Sequence, residues 1–269
     1  MKLIRNVKIG ADPEVFLINK YTGKFISAIG IIGGTKESPE YVGDGEFAIQ
    51  VDNVCAEFNI PPANNLKDFK LNITKGLKYI EKALPYNLEI LIKSSAFFEE
   101  DQLQSKLSKT FGCEPDFNIW TMKENIIASA EDSCFRTCGG HIHVGYDNPE
   151  DEEVLLNLAK ALDLFLGVES VLLDKDEERR SLYGKAGSIR VKPYGLEYRT
   201  LSNFWISKDD LIEWAFTRVF NAVDFINAKK KLSAEDEILI QNCINNYDRD
   251  LAVHLSNKFI YKRKEAVLV

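Results

Sequence analysis

The stretch CGGHIHVGY, residues 138–146, sets two of the chain's three histidines two positions apart. In an extended strand, residues i and i+2 point to the same side, so His141 and His143 project together while Ile142 and Val144 face the other way. The arrangement recurs. Asp12 and Glu14 flank Pro13 in GADPEVF, Glu57 and Asn59 flank Phe58 in CAEFNIP, and Glu197 and Arg199 flank Tyr198 in GLEYRT. Any single pair suits a solvated strand face. On one shared sheet, the pairs gather carboxylates, imidazoles and a guanidinium on one side, with apolar residues behind. Packed carboxylates are costly unless a cation neutralises them. Hard divalent ions take carboxylate oxygens, and Mg²⁺ usually keeps waters and binds substrate phosphates too. An imidazole in the set is compatible with Mg²⁺, and more so with Mn²⁺.

Other histidine chemistry fits less well. A binuclear hydrolase with an HxH pair needs further histidines, and only His254 remains. A cupin-type site wants a third histidine and a glutamate soon after the pair, whereas Glu150 falls in the region of a helix start. Structural zinc lacks its cysteine partners, because Cys134 and Cys138 have no second pair. A merely structural histidine pair stays open.

Cations are also present. RRSLYGKAGSIRVK, 179–192, holds Arg179, Arg180, Lys185, Arg190 and Lys192 around two glycines. It is not a Walker A loop, but Arg180 and Lys185 on such a loop can close over phosphates; the alternative is a solvated basic loop. Lys36 in GIIGGTKESP either meets an anion or sits in an ordinary hairpin turn. Arg199 shares a strand face with Glu197, beside the expected metals, where a guanidinium neutralises a transferring phosphoryl group.

The elements that must position these groups are short. KLIRNVKIG, EVFLIN, FISAIGII, EFAIQVD and VCAEFNI are Val-, Ile- and Phe-rich runs between turn residues, and read as strands. Leu66, Phe69, Ile73, Leu77, Ile80 and Leu84 step at helical spacing, with Asn65 as cap and Pro85 as stop. NLEILIKSSAFF reads as a strand, and 99–137 as mixed and loop-rich. A long helix is expected from Pro149 to Leu173, capped by Asn148, then a mobile loop over 174–187. SIRVKP and LEYRTLS read as strands. Ser207–Asp210 and Ser233–Asp236 have capping-box spacing and open C-terminal helices. Strands first and helices later, without regular βαβ alternation, predict an α+β fold, an antiparallel sheet backed by helices. The reading is one domain over 1–269, with a helical part from about 206.

Composition narrows the class. The net charge of -7 argues against a general nucleic-acid or anionic-membrane surface. No apolar run approaches a membrane span, and the start MKLIRNVKIGADPEVF lacks an apolar leader run. The five scattered cysteines, Cys55, Cys113, Cys134, Cys138 and Cys243, suit reduced thiols. The expected location is cytoplasmic.

In order, the motifs are an acidic pair, a glutamate on a later strand, GxHxH, and ExR. That order resembles the glutamine synthetase-like superfamily, which also holds glutamate–cysteine ligases and phosphagen kinases. More closely, GADPEVF, DNVCAEFNIPPA, GGHIHVGY and LYGKAGSIRVKPYGLEYRTLSNFW look like the phage-type amidoligases, carboxylate–amine ligases, across about residues 8–205. The resemblance implies a curved, glutamine synthetase catalytic-domain-like sheet whose concave face binds ATP and Mg²⁺ or Mn²⁺. It also implies that Asp12, Glu14, Glu57, His141 and Glu197 ligate metal, and that His143 lies nearer the nucleotide phosphates. Arg199 would hold the γ-phosphate. Two departures stand out: Asp12 replaces the usual glutamate, and Gly195 stands where glutamine synthetases carry a further arginine, a role Arg190 can fill.

The reaction implied is ATP-dependent joining of a carboxylate to an amine through an acyl phosphate. Arg199, Arg190 and Glu57 are expected at the reacting groups, and Asp52 or Glu46 as proton acceptor. Small-molecule or peptide acids and amines are the expected partners. A guanidino- or amino-group kinase on the same fold, or a binding protein retaining the sheet, are the competing readings. PDFNIW and LSNFW either wall an acceptor pocket or belong to the core.

Overall fold

The computed structural model describes residues 2–109, 116–125 and 133–261. Cys113, Pro115 and the end of the helical part, 262–269, lie outside the described residues.

The strands are β1 (Lys8–Asn19), β2 (Phe25–Ile26), β3 (Glu40–Val42), β4 (Phe47–Asp52), β5 (Cys55–Asn59), β6 (Leu88–Leu91), β7 (Ser95–Phe97), β8 (Phe117–Asn118), β9 (Lys123–Glu124), β10 (Phe135–Thr137), β11 (Gly140–Gly145), β12 (Ser188–Lys192) and β13 (Gly195–Tyr198). The helices are α1 (Leu66–Ala83), α2 (Glu152–Leu162), α3 (Val168–Leu173), α4 (Glu178–Leu182), α5 (Asp209–Asn227), α6 (Ala234–Asn245) and α7 (Arg249–Phe259). The main sheet runs β3-β4-β5-β1-β11-β13-β12-β8-β9, with β2 and β6 added on β1. Its pairings are antiparallel. The fold class is α+β, as the element order predicts.

β1 changes partners along its length. Lys8–Pro13 pair with β11, Glu14 and Val15 with β5, and Phe16–Asn19 with β6. The two runs KLIRNVKIG and EVFLIN thus contribute to one long strand rather than two. Period-two alternation decides what each side of the sheet does. Ile9, Ala11, Val15, Phe58, Ile142, Val144, Leu196 and Tyr198 face one side, are buried, and pack with α1, α2 and α5 into the main core. A smaller cluster of Phe16, Cys55, Ala96, Phe98 and Cys138 closes one end of the other side.

Helix ends follow local chemistry. Asn65 caps α1, accepting from Asp68 N–H at 2.9 Å, and Ser233 caps α6. Ser207 does not cap α5: its hydroxyl donates to Phe204 O, and α5 starts after Lys208 with Asp209 and Asp210 in its first turn. The long helix expected from Pro149 is also corrected. Asn148 is left-handed (φ 56), and Asp151 takes the cap. A π-turn over Asp163–Gly167 then separates α2 from α3. Asp163 there accepts from Tyr198 OH at 2.8 Å and Trp120 Nε1 at 2.6 Å, and a Cβ at Gly167 would lie 2.7 Å from Tyr198 OH. The expected loop 174–187 contains the short α4. NLEILIKSSAFF divides into β6 and β7, the latter paired with β10 in a second sheet. Cys55, Cys134, Cys138 and Cys243 carry free thiols. Among the described residues, no helix is long and apolar enough to cross a membrane.

Candidate active site

Cross-strand partners in an antiparallel sheet share a face. The register sets Gln50 beside Glu57 and Glu57 beside Glu14. It sets Asp12 beside His141, then His143 beside Glu197 and Glu197 beside Arg190. The polar pairs therefore form one continuous face over β4, β5, β1, β11, β13 and β12, opposite the main core.

Two groups of ligating side chains with carboxylates at their centre lie on it, and a third, Glu14 with Cys55 and Cys138, borders the first. In the first, carboxylate oxygens of Glu14, Asp52 and Glu57 lie within 4.8 Å of one another. Glu14 accepts from the Gly139 N–H at 2.8 Å, Gln50 Nε2 donates to Glu57 at 2.9 Å, and Lys36 pairs with Asp52 at 2.7 Å. Burial and then the Asp52 charge push Glu14 up to about 7. Burial, then Asp12, Asp52 and Glu14, hold Glu57 well above the usual carboxylate range.

In the second group, atoms of Asp12, His143 and Glu197 likewise lie within 4.8 Å. His141 Nδ1 is 3.3 Å from Asp12 and 3.7 Å from Glu197, and His143 Nε2 is 3.1 Å from Asp12. Arg190 and Lys192 reach Glu197 at 3.2 and 2.9 Å. Arg199 Nη1 also pairs with Glu197. Here burial raises the carboxyls but the cations win. His143 and His141 hold Asp12 well below its usual range, and Arg199, His141 and His143 bring Glu197 to about 2 against burial and Asp12. Burial and then Arg199 lower His141, whereas Asp12 outweighs burial and raises His143.

The donor set fits a divalent ion. His141 Nε2 is a buried polar atom without a hydrogen-bond partner among the described residues, and the contacts of Asp12 with His141 Nδ1 and His143 Nε2 are close ion pairs rather than aligned hydrogen bonds. Buried groups of this kind normally find partners, and oxygen-rich sets with an imidazole match Mg²⁺ or Mn²⁺.

The surroundings differ at the two ends. Beside the second group opens a cleft of roughly 1030 Å³, with Lys8, Pro62, His143, Tyr146 and Tyr194 on its walls. Tyr194 OH lies 2.6 Å from His143 Nδ1. Beside the first group, Glu14, Asp52, Asn53, Tyr183 and Arg199 enclose a cavity of roughly 30 Å³.

The structure brings together Asp12, Glu14, Glu57, His141, His143, Arg190, Glu197 and Arg199. It does not bring Arg180 or Lys185 to them. Arg180 is buried, with Nη2 on Ser170 Oγ and its guanidinium over Tyr247, among the helices. Lys185 is held near it, its backbone oxygen accepting from Thr200. Asp52 joins the first group, while Glu46 is exposed in the turn before β4. Phe117, Trp120, Leu201, Phe204 and Trp205 pack in or against the core, and none of them lines the cleft or the cavity beside the two groups. Sequence reasoning missed Gln50, Asp116, Tyr183 and Tyr194. Gln50 and Asp52 form a further i, i+2 pair in FAIQVD, so that signal was present; Asp116 and Tyr183 arrive from irregular segments with no such spacing.

Residues 121–247 match the family described as phage phiEco32-like COOH.NH2 ligase-type 2. That span includes His141, His143, Glu197 and Arg199 but not the acidic residues of β1, β4 and β5. No curated protein matches the chain in sequence. Among solved structures, a bifunctional glutathione synthetase from Pasteurella multocida aligns over 94% of this chain and 49% of its own, at 12% identity and a TM-score of 0.50. The chain thus spans about half the length of that protein, and the likeness is one of fold. The chain is therefore similar, over 121–247, to a phage-type carboxylate–amine ligase family, which is the resemblance its motifs carry.

Proposed function

We propose that this chain is an ATP-dependent carboxylate–amine ligase working through an acyl phosphate, on a sheet of the glutamine synthetase catalytic type. The observation that carries the reading is the continuous polar face on which two carboxylate groups flank His141 and Arg199. The family match supports it.

Glu14, Asp52 and Glu57 would hold one divalent ion, and Asp12, His141 and Glu197 another, with His143 toward the nucleotide. When bound, Mg²⁺ or Mn²⁺ supplies charge neutralisation at the phosphate oxygens during phosphoryl transfer. The triphosphate would lie over the second group, with the base toward the adjoining cleft lined by His143, Tyr146 and Tyr194. Arg199 faces the transferring phosphoryl group between the two carboxylate groups, offsetting its charge in a water-poor setting. Arg190, on the neighbouring strand, adds a second cation through Glu197. Transfer of the γ-phosphoryl group to the carboxylate, with ADP leaving, would make it an electrophile, and attack by an amine would then form the amide and expel inorganic phosphate. The attacking ammonium must first lose a proton, and Asp52, on the cavity wall with Glu14 and Arg199, is the carboxylate placed to take it. Small-molecule or peptide acids and amines suit the space.

Calorimetric titration of the protein with ATP, with and without Mg²⁺ or Mn²⁺, tests this. Metal-dependent binding is expected in the wild type and is lost in His141→Ala. Absence of binding with either metal sinks the reading.

A further inference from the structure

Arg199 is 5% exposed and meets partners on several sides. Nη1 pairs with Glu197, Nη2 donates to Tyr183 OH, and Nε lies 2.5 Å from Asp116 Oδ1. Glu197 is committed to several cations at once, including Arg190 and Lys192. Asp116 differs. Among the described residues, the cation it pairs with is Arg199, and it is itself only 6% exposed. Its backbone is fixed: Asn125 N–H donates to Asp116 O at 2.8 Å across the β8–β9 hairpin. β8 in turn pairs with β12 through Phe117 and Ile189. Asp116 is thus carried by the sheet that carries Arg190, yet no step of the proposed reaction uses it.

A guanidinium is a rigid planar fork. A carboxylate held by charge against the Nε edge restricts where the fork can lie, and with it the direction in which both Nη groups point. Lost alignment of an otherwise intact charge has a large effect on phosphoryl recognition. We propose that Asp116 is a positioning residue that holds the plane of Arg199, so that its Nη groups address the terminal phosphoryl of a nucleoside triphosphate. The inference rests on the nucleotide reading of the site. It predicts a selective defect, because Arg199 faces the phosphoryl that ATP has and ADP lacks.

The test compares Mg–ATP and Mg–ADP affinity in the wild type, Asp116→Asn, Arg199→Lys and the double variant. Asp116→Asn keeps size and removes charge. Its preference for ATP over ADP should fall about 10-fold, as for outer groups that orient a binding side chain. Mg–ADP affinity stays within about twofold, and the loss is not repeated in the Arg199→Lys background. A merely structural carboxylate would lower the melting temperature and leave the ATP-to-ADP ratio alone; that result overturns the inference. If Asp116→Asn fails to fold, Asp116→Glu carries the same comparison, since it keeps the charge but displaces the fork, and an unchanged ratio there also overturns it. A wild type that binds neither nucleotide overturns the nucleotide reading itself, with this inference falling alongside. That outcome is distinguishable from a wild type that binds while the ratio does not move.

Discussion

Glu14, Asp52 and Glu57 share a sheet face with Asp12, which lies on β1 with Glu14, and with Glu197, two to four strands away, and the two groups meet opposite electrostatics. Around Glu197 stand Arg190, Lys192, Arg199 and His141, so burial is outweighed and the carboxyl is brought to about 2. Around Glu57 stand Gln50, Glu14 and Asp52, so burial and like charge add, and the carboxyl is driven well above its usual range. One half of the face is neutralised by the chain's own cations. The other half carries acid in excess of its local cations, which is the electrostatic setting a divalent ion relieves.

Isosteric neutralisation should split the halves most widely. Glu197→Gln leaves the buried Arg199 and the partly exposed Arg190 and Lys192 without their shared partner and is expected to cost about 3–5 kcal/mol. Glu57→Gln removes a buried acid that burial and neighbours oppose, and should stabilise the metal-free protein by about 1–3 kcal/mol at pH 8. Both should abolish ATP turnover. Urea unfolding in the presence of a chelator reads the stability difference; equal signs for the two variants would break the comparison.

The halves should also respond oppositely to pH. Glu14 has a folded value of about 7 against an ordinary 4.5, so the folded state binds more protons between them. Stability from this group therefore falls as pH rises from about 4.5 to about 7, by no more than about 3 kcal/mol. Glu197, at about 2, contributes stability that is present above 4.5 and lost as pH falls toward 2. Without metal, stability should peak on the acid side of neutrality. Glu14→Gln should flatten the neutral limb and spare the acid limb. A wild-type profile level between pH 5 and pH 8 would count against the first group's excess acid.

Metal binding offers a smaller effect in the same direction. Ligating carboxylates must be deprotonated. Titrating Mn²⁺ into the protein at pH 6 should release protons, about one per ion at the first group, read from calorimetry in buffers of different ionisation enthalpy. At pH 8, release from Glu14 should shrink, because that carboxyl is by then largely ionised.

Much of this face is legible in the sequence alone, for a geometric reason. Strand periodicity is local, so Asp12 with Glu14, His141 with His143 and Glu197 with Arg199 declare a common side from spacing alone. Which strands adjoin is not local. Nothing in FAIQVD announces that Gln50 lies beside Glu57, and nothing near residue 116 announces Arg199, 83 residues on by sequence number. The same limit misplaced Arg180 and Lys185. A basic loop reads as phosphate-binding until α4 and the Ser170 contact turn Arg180 toward the helices. The long helix failed differently, because Asn148 in a left-handed turn and the Asp163–Tyr198 bond interrupt a periodic apolar run that spacing alone continues.

The smallest effect tests the cation nearest the acidic half. Lys36 pairs with Asp52 at 2.7 Å, and its charge opposes the rise of both Glu14 and Glu57. It is partly exposed, so solvent screens it. Lys36→Met should therefore cost only about 1 kcal/mol at pH 8 without metal. At pH 5 the cost should shrink, because Glu14 is then protonated and its charge no longer draws on Lys36. Adding Mn²⁺ at pH 8 should shrink it too, since a divalent charge among the same oxygens makes a lysine's contribution minor. Denaturant midpoints under the three conditions decide the matter. A cost that stayed constant across them would mean that Lys36 tethers its loop to Asp52 without touching the balance of charge that distinguishes the two halves.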